Sequence, residues 1–366
     1  MKVYILIGTR PNFIKVTQFK TCATKLYPKI EISIIHTGQH YDEKMADIFF
    51  AQFNLKPDYY LNIVPASANK QIAEIMIKLE DLISEIGKPD LLLVPGDVNS
   101  TLAGALFANK SGIKLGHIEA GLRSFDATMP EEYNRIITDQ LSNLFFITEP
   151  SAFKHLKEEK YDESKIHYVG NTMIDTMVAF EREIEASPVL KLLTGQLIES
   201  DKFVLMTMHR PATVDNKFEF EKLLQLIEMV AINYKVIFPV HPRTWKNAKE
   251  FGLYQKINTI RNLICTDPLD YFAFQKLVKN CAFILTDSGG IQEESTFRKK
   301  PCITLRPNTE RPVTVSEGTN TLLPFNIDEI KKCILEIENG TYKKGNIPQY
   351  WDGKATERIL KVISDL

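Results

Sequence analysis

ILTDSGGIQEES, residues 284–295, is the stretch on which the fold turns. An apolar run, Phe283-Ile284-Leu285-Thr286, ends in Asp-Ser-Gly-Gly and passes into residues of helical composition. Strand, glycine turn and helix in succession are how a doubly wound α/β fold offers a helix N-terminus to a phosphate group. The stretch has no P-loop lysine, however, and two carboxylates, Glu293 and Glu294, follow at once. A phosphate bed with acid beside it raises the question of which anion it would hold.

Outward from this stretch, short apolar runs alternate with amphipathic ones. The spacing predicts strands over 3–8, 32–37, 91–95, 115–119, 144–148 and 166–169, with helices between them, such as 73–86. The rhythm pauses over the polar residues 181–202 and restarts with strands over 203–208, 236–240, 263–266, 282–286 and 302–305. Residues 355–366 read as a last helix. A βαβ rhythm of this kind predicts parallel sheets covered on both faces. We therefore expect an α/β protein of two doubly wound, Rossmann-like domains, over 1–170 and 171–348, facing a cleft at the carboxyl ends of their strands.

Composition narrows the function. The chain has 366 residues and a net charge of −1, so no basic field points to nucleic acid or an anionic membrane. Its five cysteines, Cys22, Cys265, Cys281, Cys302 and Cys333, are widely spaced without a CxxC pair, which fits reduced thiols and not a disulfide framework or zinc site. The N-terminus MKVYILIGTRPNF is too short in its apolar run for a signal peptide, and no stretch approaches the roughly 18 apolar residues of a membrane span. A soluble, cytoplasmic protein is expected.

Polar residues collect at the predicted strand ends. GTRPNFIK, residues 8–15, sets Arg10 and Lys15 near a helix start, which is either a phosphate contact or a solvated charge pair. HTGQHYD, 36–42, carries two histidines without a third ligand at metal spacing, so no metal site is expected. Asp97 ends a strand in VPGDVNSTLAG, where it caps a helix or points into the cleft. Glu119 ends the next strand, and Glu131 opens the helix after Pro130. Early glutamates are often no more than helix-dipole partners. Three carboxylates from separate strand ends are harder to dismiss, since acids gathered in a dry cleft repel one another and divide into acid and base forms. In the second half His209-Arg210 and His241-Arg243 end two strands, LRPNTERP adds Arg306, Glu310 and Arg311, and Phe274 lies in an aromatic cluster fit to stack on a base or to fill core.

GTRPNFIK, TGQHYD, PGDVNSTLAG, HIEAGLRSFD, MPEEYNR, VGNTMIDT, HRPATVDN, PVHPRT, LTDSGGIQEE and TERPV occur in the order found in non-hydrolysing UDP-N-acetylglucosamine 2-epimerases. The resemblance runs over about residues 1–320 and rests on ten motifs. It implies a glycosyltransferase-B-like fold whose tail, 349–366, returns as a helix to the first domain, and an isomerase that needs neither NAD nor metal. It further implies a homodimer serving cell-surface polysaccharide synthesis, which interconverts UDP-GlcNAc and UDP-ManNAc by eliminating UDP to 2-acetamidoglucal and adding it back. On matched motifs, Asp97, Glu119 and Glu131 resemble the family's catalytic acids and bases, with Lys15 and His209 beside them. Arg10, Lys15, His209 and Arg311 look like contacts to UDP, Ser288, Gly289 and Gly290 like the pyrophosphate cradle, Glu294 like the carboxylate on the ribose hydroxyls, and Phe274 like the residue packing the uracil. Gln39 and His40 fit the first part of the family's allosteric pocket for a second UDP-GlcNAc. Where its second glutamine is usual this chain has Lys70, with Gln71 adjacent, and Asn12 stands for the glutamate of the common GTRPE opening.

The alternatives are a hydrolysing epimerase that releases ManNAc, a 2-epimerase for a UDP-2,3-diacetamido uronic acid, a glycosyltransferase on the same fold, and a nucleotide-sugar-binding module without catalysis. Three carboxylates in the first half favour the epimerase over a transferase, which needs one base and an acceptor groove.

Overall fold

Leu91–Pro95 and Phe203–Thr207 are apolar on both faces because each lies inside a parallel sheet with helices on either side. A computed structural model describes residues 1–38, 50, 52–194 and 202–366 and divides the chain into two units, Met1–Ala179 with Gln349–Leu366, and Phe180–Pro348. In the first unit, β1 (Lys2–Ile7), β2 (Glu31–His36), β3 (Tyr59–Tyr60), β4 (Leu91–Pro95), β5 (Lys114–Ile118), β6 (Leu144–Ile147) and β7 (Ile166–Tyr168) form one sheet, ordered β3-β2-β1-β4-β5-β6-β7. In the second, β8 (Phe203–Thr207), β9 (Lys235–Pro239), β10 (Leu263–Thr266), β11 (Phe283–Thr286), β12 (Cys302–Leu305) and β13 (Asn320–Leu323) are ordered β10-β9-β8-β11-β12-β13. All pairings are parallel.

Alternate residues of each strand go to opposite faces. Val204, Met206, Phe283 and Leu285 pack against Phe220, Leu223 and Ile227 of the helix Lys217–Val230. Phe203, Leu205 and Ile284 meet Ala273, Leu277 and Val278 of the helix Tyr271–Asn280 on the other side. In both sheets the winding direction reverses once, between β1 and β4 and between β8 and β11. Loops leaving the carboxyl ends of strands on either side of such a switch diverge, which opens a crevice for a ligand.

The sequence reading places eleven of the thirteen strands, and misses the edge strands β3 and β13. One of its boundaries shifts, and one interval gains helices. The first unit runs to Ala179 and not to residue 170, because Thr176 Oγ1, in the helix Thr172–Ala179, donates to Ile14 O and bonds Thr17 Oγ1. Residues 181–202, read as a polar interval, contain the helices Glu181–Ala186 and Val189–Thr194. Ile184, Val189 and Leu190 bury their side chains, while Glu181 and Glu185 pair with Lys276, Lys279 and Arg298. All five cysteines are free thiols.

The tail from Gln349 is held by specific polar contacts. Trp351 Nε1 donates to Thr148 O at 3.0 Å, and Asp175 accepts from the N–H groups of Ala355 and Thr356 at 3.0 and 2.6 Å, capping the helix Ala355–Ser364 from a distance. Burial pushes the Asp175 carboxyl up to about 6, with the nearby charge of Asp352 adding to it and the Thr356 and Ala355 hydrogen bonds opposing. An ordinary Asp titrates near 3.9, so between about pH 4 and 6 the folded protein binds more protons here than the unfolded chain, and this contribution to stability declines as pH rises. Urea unfolding across that window should therefore show wild type losing stability relative to Asp175→Asn. A pH-independent difference would contradict the assignment.

Candidate functional site

Asn12 links two strand ends of the first unit. It lies at the start of the helix Arg10–Val16, where Oδ1 accepts from the N–H groups of Gly8 and Thr9, each at 3.2 Å, while Nδ2 donates to Pro95 O at 3.1 Å. The loop after β1 is thereby fastened to the end of β4. One turn further along the same helix, Lys15 Nζ forms a buried ion pair with Glu119 Oε2, from the end of β5. Gly96, between β4 and Asp97, must stay glycine: its φ is +72°, and a Cβ there would lie 2.9 Å from Lys15 Nζ and 3.4 Å from Glu119 Oε2. Asp97 therefore leaves the sheet beside the Lys15–Glu119 pair.

Asp97 has its own cation. Arg135, from the helix Pro130–Leu141, reaches Asp97 Oδ2 through Nε at 3.1 Å and a terminal nitrogen at 2.9 Å, and also pairs with Glu132. Glu132 in turn accepts from Ser124 N, Ser124 Oγ and Phe125 N, which fixes the loop after β5. Asn134 Nδ2 donates to Asp97 O at 2.8 Å. Asn134 and Glu131 line a pocket of about 190 Å³ together with Thr9, Thr37, Gln71, Asn99 and Ser100. Lys15 and Glu119 thus pair beside the turn that carries Asp97, and Glu131 stands on the helix whose Asn134 and Arg135 hold Asp97. The expectation that the acids meet as mutually repelling carboxylates is corrected in two cases: Lys15 stands against Glu119, and Arg135 against Asp97.

In the second unit the switch between β8 and β11 joins His209 to Asp287. Asp287 is fully buried and accepts from the N–H groups of His209 and Arg210, both at 2.9 Å, and from His209 Nδ1 at 3.0 Å. Burial opposes its charge, yet the hydrogen bond and charge of His209, with the two backbone N–H groups, hold the carboxyl below the ordinary range. With Nδ1 turned to Asp287, Nε2 of this half-exposed ring is the nitrogen left for a ligand. His241 lies 5.8 Å away, ring to ring, and its Nδ1 accepts from Arg243 N; burial, then the charges of His209 and Arg243, push it down.

Ser288, Gly289 and Gly290 open the helix Gly289–Phe297, so the fold gives the opening stretch its helix N-terminus. The acids beside it point inward. Glu293 is fully buried and pairs with Arg311 Nε at 2.9 Å, and Glu310 pairs with Arg306 at 3.0 Å while lying where a Cβ on Gly289 would meet it, at 2.7 Å. Arg311, read from the sequence as a contact to UDP, is a buried partner of Glu293. Glu294 is buried further along the helix, and its charge adds to the burial that raises the Tyr271 hydroxyl. Phe274 is half-buried against the core of this unit. Gln39 and His40 lie outside the described residues, as does the side chain of Arg10. Among the described residues no three His, Cys, Asp or Glu side chains form a metal site.

The profile described as UDP-N-acetylglucosamine 2-epimerase matches residues 23–364. The chain belongs to the UDP-N-acetylglucosamine 2-epimerase family. It is therefore an enzyme, an epimerase. A UDP-N-acetylglucosamine 2-epimerase of Methanocaldococcus jannaschii is 40% identical over 368 residues, covering 100% of this chain and 99% of the relative. A UDP-2,3-diacetamido-2,3-dideoxy-D-glucuronate 2-epimerase of Pseudomonas aeruginosa is 36% identical, with 100% of both chains covered. The crystal structure of the M. jannaschii epimerase in complex with UDP-GlcNAc and UDP superposes with a TM-score of 0.89 at 39% identity, again over 100% of both chains.

Sequence reasoning passed over Asn12 as a mere departure and left out Arg135, His117 and Asp139. Arg135 and His117 stand within stretches already singled out, MPEEYNR and HIEAGLR, but their partners come from other segments. The buried Lys15–Glu119 pair makes a test of the site's architecture. Lys15→Met should cost about 3–5 kcal/mol in urea unfolding at neutral pH, since it strands a buried carboxylate. Adding Glu119→Gln should recover most of the loss, and no recovery would show that the two groups are not coupled.

Proposed function

We propose that this epimerase interconverts UDP-GlcNAc and UDP-ManNAc, without releasing the sugar. The observation that carries the reading is the Lys15–Glu119 pair beside the turn that carries Asp97, with Glu131 on the helix whose Asn134 and Arg135 hold Asp97. C2 of the sugar has no adjacent carbonyl to acidify its proton, so direct inversion there is poor chemistry. Elimination avoids the problem. A carboxylate takes the C2 proton, the C2–H electrons become the C1=C2 bond of 2-acetamidoglucal, and the C1–O electrons leave with UDP. A second carboxylate returns a proton to the opposite face of C2, and UDP re-adds at C1. The acid and the base must be different groups, and the site supplies more than one carboxylate for the purpose.

Retention of UDP falls to the second unit. The helix after Ser288, Gly289 and Gly290 would take the diphosphate on its first N–H groups, His209 would add a donor through Nε2, Glu294 would accept from the ribose hydroxyls, and Phe274 would pack the uracil. The described side chains around the 190 Å³ pocket are uncharged apart from Glu131, which suits a neutral hexosamine better than a uronate. The exposed apolar residues Tyr133, Ile136 and Ile137, all on the helix Pro130–Leu141, support a homodimer. No helix among the described residues is long and apolar enough to cross a membrane. Work on a nucleotide sugar in the cytoplasm, feeding a cell-surface polysaccharide, fits this reading.

Product analysis tests it. Incubation with UDP-GlcNAc alone, followed by proton and phosphorus NMR, should give a stable mixture of UDP-GlcNAc and UDP-ManNAc. Stoichiometric UDP with free ManNAc would make it a hydrolysing epimerase, and preferred turnover of the 2,3-diacetamido uronate would change the substrate. Asp97→Asn, Glu119→Gln and Glu131→Gln should each lower kcat by about 10²–10⁴-fold. Glu294→Ala should weaken UDP binding by about ten-fold in titration calorimetry, and an unchanged affinity would remove Glu294 from the nucleoside.

A further inference from the structure

Behind the catalytic turns of the first unit lies a second layer of charge that no substrate would touch. His117, in β5, and Asp139, in the helix Pro130–Leu141, are both completely buried. His117 Nδ1 is 2.6 Å from Asp139 Oδ1, and Nε2 is 2.8 Å from Gly96 O. The Gly96 carbonyl belongs to the peptide that joins Gly96 to Asp97, so the His117 bond fixes the plane from which Asp97 departs. On the other side of that residue, Gly96 N donates to Ile118 O at 2.9 Å.

Asp139 Oδ2 serves the neighbouring turn. It accepts from Gly121 N at 3.1 Å and pairs with Arg123 at 2.7 Å. The stretch from Glu119 to Gly121 carries left-handed backbone at both ends, with φ of +71° at Glu119 and +76° at Gly121. That conformation is disfavoured for a residue with a Cβ and persists only where the surroundings over-determine it. One buried carboxylate therefore braces both turns, that of Glu119 directly and that of Asp97 through the imidazole. The carbonyl of Gly96 can only accept, so Nε2 carries a proton. Nδ1 faces the Asp139 carboxylate, which burial works against but which His117 and Arg123 hold below its ordinary range.

We infer that His117 and Asp139 are positioning residues for the epimerisation, which set Asp97 and Glu119 relative to each other without meeting the substrate. The inference rests on the reading of Asp97 and Glu119 as acid–base groups. Removing a proton from one face of C2 and returning one to the other requires two carboxylates in fixed relation, and displacements near 1 Å cost about 10²-fold in rate. Neither residue helps to hold UDP, so their loss should appear in kcat and not in nucleotide affinity.

Two substitutions at one position separate this role from simple stabilisation. In His117→Gln the side-chain amide reaches the place of Nε2 and still donates to Gly96 O, whereas in His117→Asn it takes the place of Nδ1 and keeps only the bond to Asp139. Per folded enzyme, His117→Asn should lose about 10²-fold in kcat, with KM and UDP affinity within about two-fold of wild type by the same argument. His117→Gln should recover most of that loss. Equal kcat values for the two variants, or a kcat for His117→Asn unchanged from wild type, would overturn the inference. Asp97→Asn assayed alongside keeps the two ideas apart. Full activity there defeats the reading of the site, whereas an inactive Asp97→Asn beside a fully active His117→Asn defeats the brace alone. Should His117→Asn not fold, nitrogen-15 NMR of histidine-labelled wild type decides. A protonated Nε2 on His117, with its proton protected from exchange, supports the brace, and a bare Nε2 refutes it.

Discussion

Glu119 is where the constraints on the first unit converge. Its backbone is left-handed, at a cost of about 1–2 kcal/mol for a residue with a Cβ, and its carboxylate is buried against Lys15. Neither feature survives alone. The N–H of Glu119 is held by Phe146 O at 3.0 Å, and its charge is answered by a lysine more than a hundred residues earlier in the chain. Removing either member of such a pair leaves the other uncompensated in a medium that solvates it poorly. The helix after β1 and the turn after β5 are therefore locked together, and the turn after β4 must pass beside them without a side chain at Gly96.

The second unit solves a different problem with the same fold. Its switch point is built on backbone: two N–H groups converge on Asp287, and the helix after Ser288 begins with two glycines. A helix N-terminus binds an anion through dipoles and N–H groups and needs no cation of its own. The acids that looked out of place in residues 284–295 are consistent with this. Glu293 turns inward to Arg311 and Glu294 is buried along the helix, while Glu310, from a later loop, faces Gly289 and pairs with Arg306.

Much of the fold was legible because a parallel strand buried on both faces is written as an unbroken apolar run, and eleven of these runs became strands. The two missed strands are edges. Tyr59–Tyr60 has two residues, one of them exposed, and three of the four residues of Asn320–Leu323 are half-buried, so neither forms an apolar run. Of the helices within 181–202, Glu181–Ala186 escaped because its one buried apolar residue, Ile184, stands among acids whose partners lie on another helix, and Val189–Thr194 because six residues are too few to show a helical period. At the site, Lys15, Asp97, Glu119 and Glu131 were visible as polar residues at strand ends. Their pairings were not. Nothing local in Glu119 names Lys15, nothing in His117 names Asp139, and the contacts exist only because the sheet order brings β1, β4 and β5 side by side.

The pairing of charges bears on which reaction the site suits. Two bare carboxylates close together repel, and one is forced to keep its proton, as in a dyad with a fixed acid and a fixed base. A reversible epimerisation asks for something else. The group that takes the C2 proton in one direction must give it back in the other, so the acid and the base exchange roles between the forward and the reverse reaction, by microscopic reversibility. Environments that differ strongly would favour one direction of proton transfer and slow its reverse. Here Asp97 and Glu119 leave adjacent strands of one sheet and each meets its own cation, Arg135 or Lys15. Under the proposed roles each carboxylate keeps a cation beside it in whichever direction the reaction runs, although Glu119 is buried and Asp97 is partly exposed.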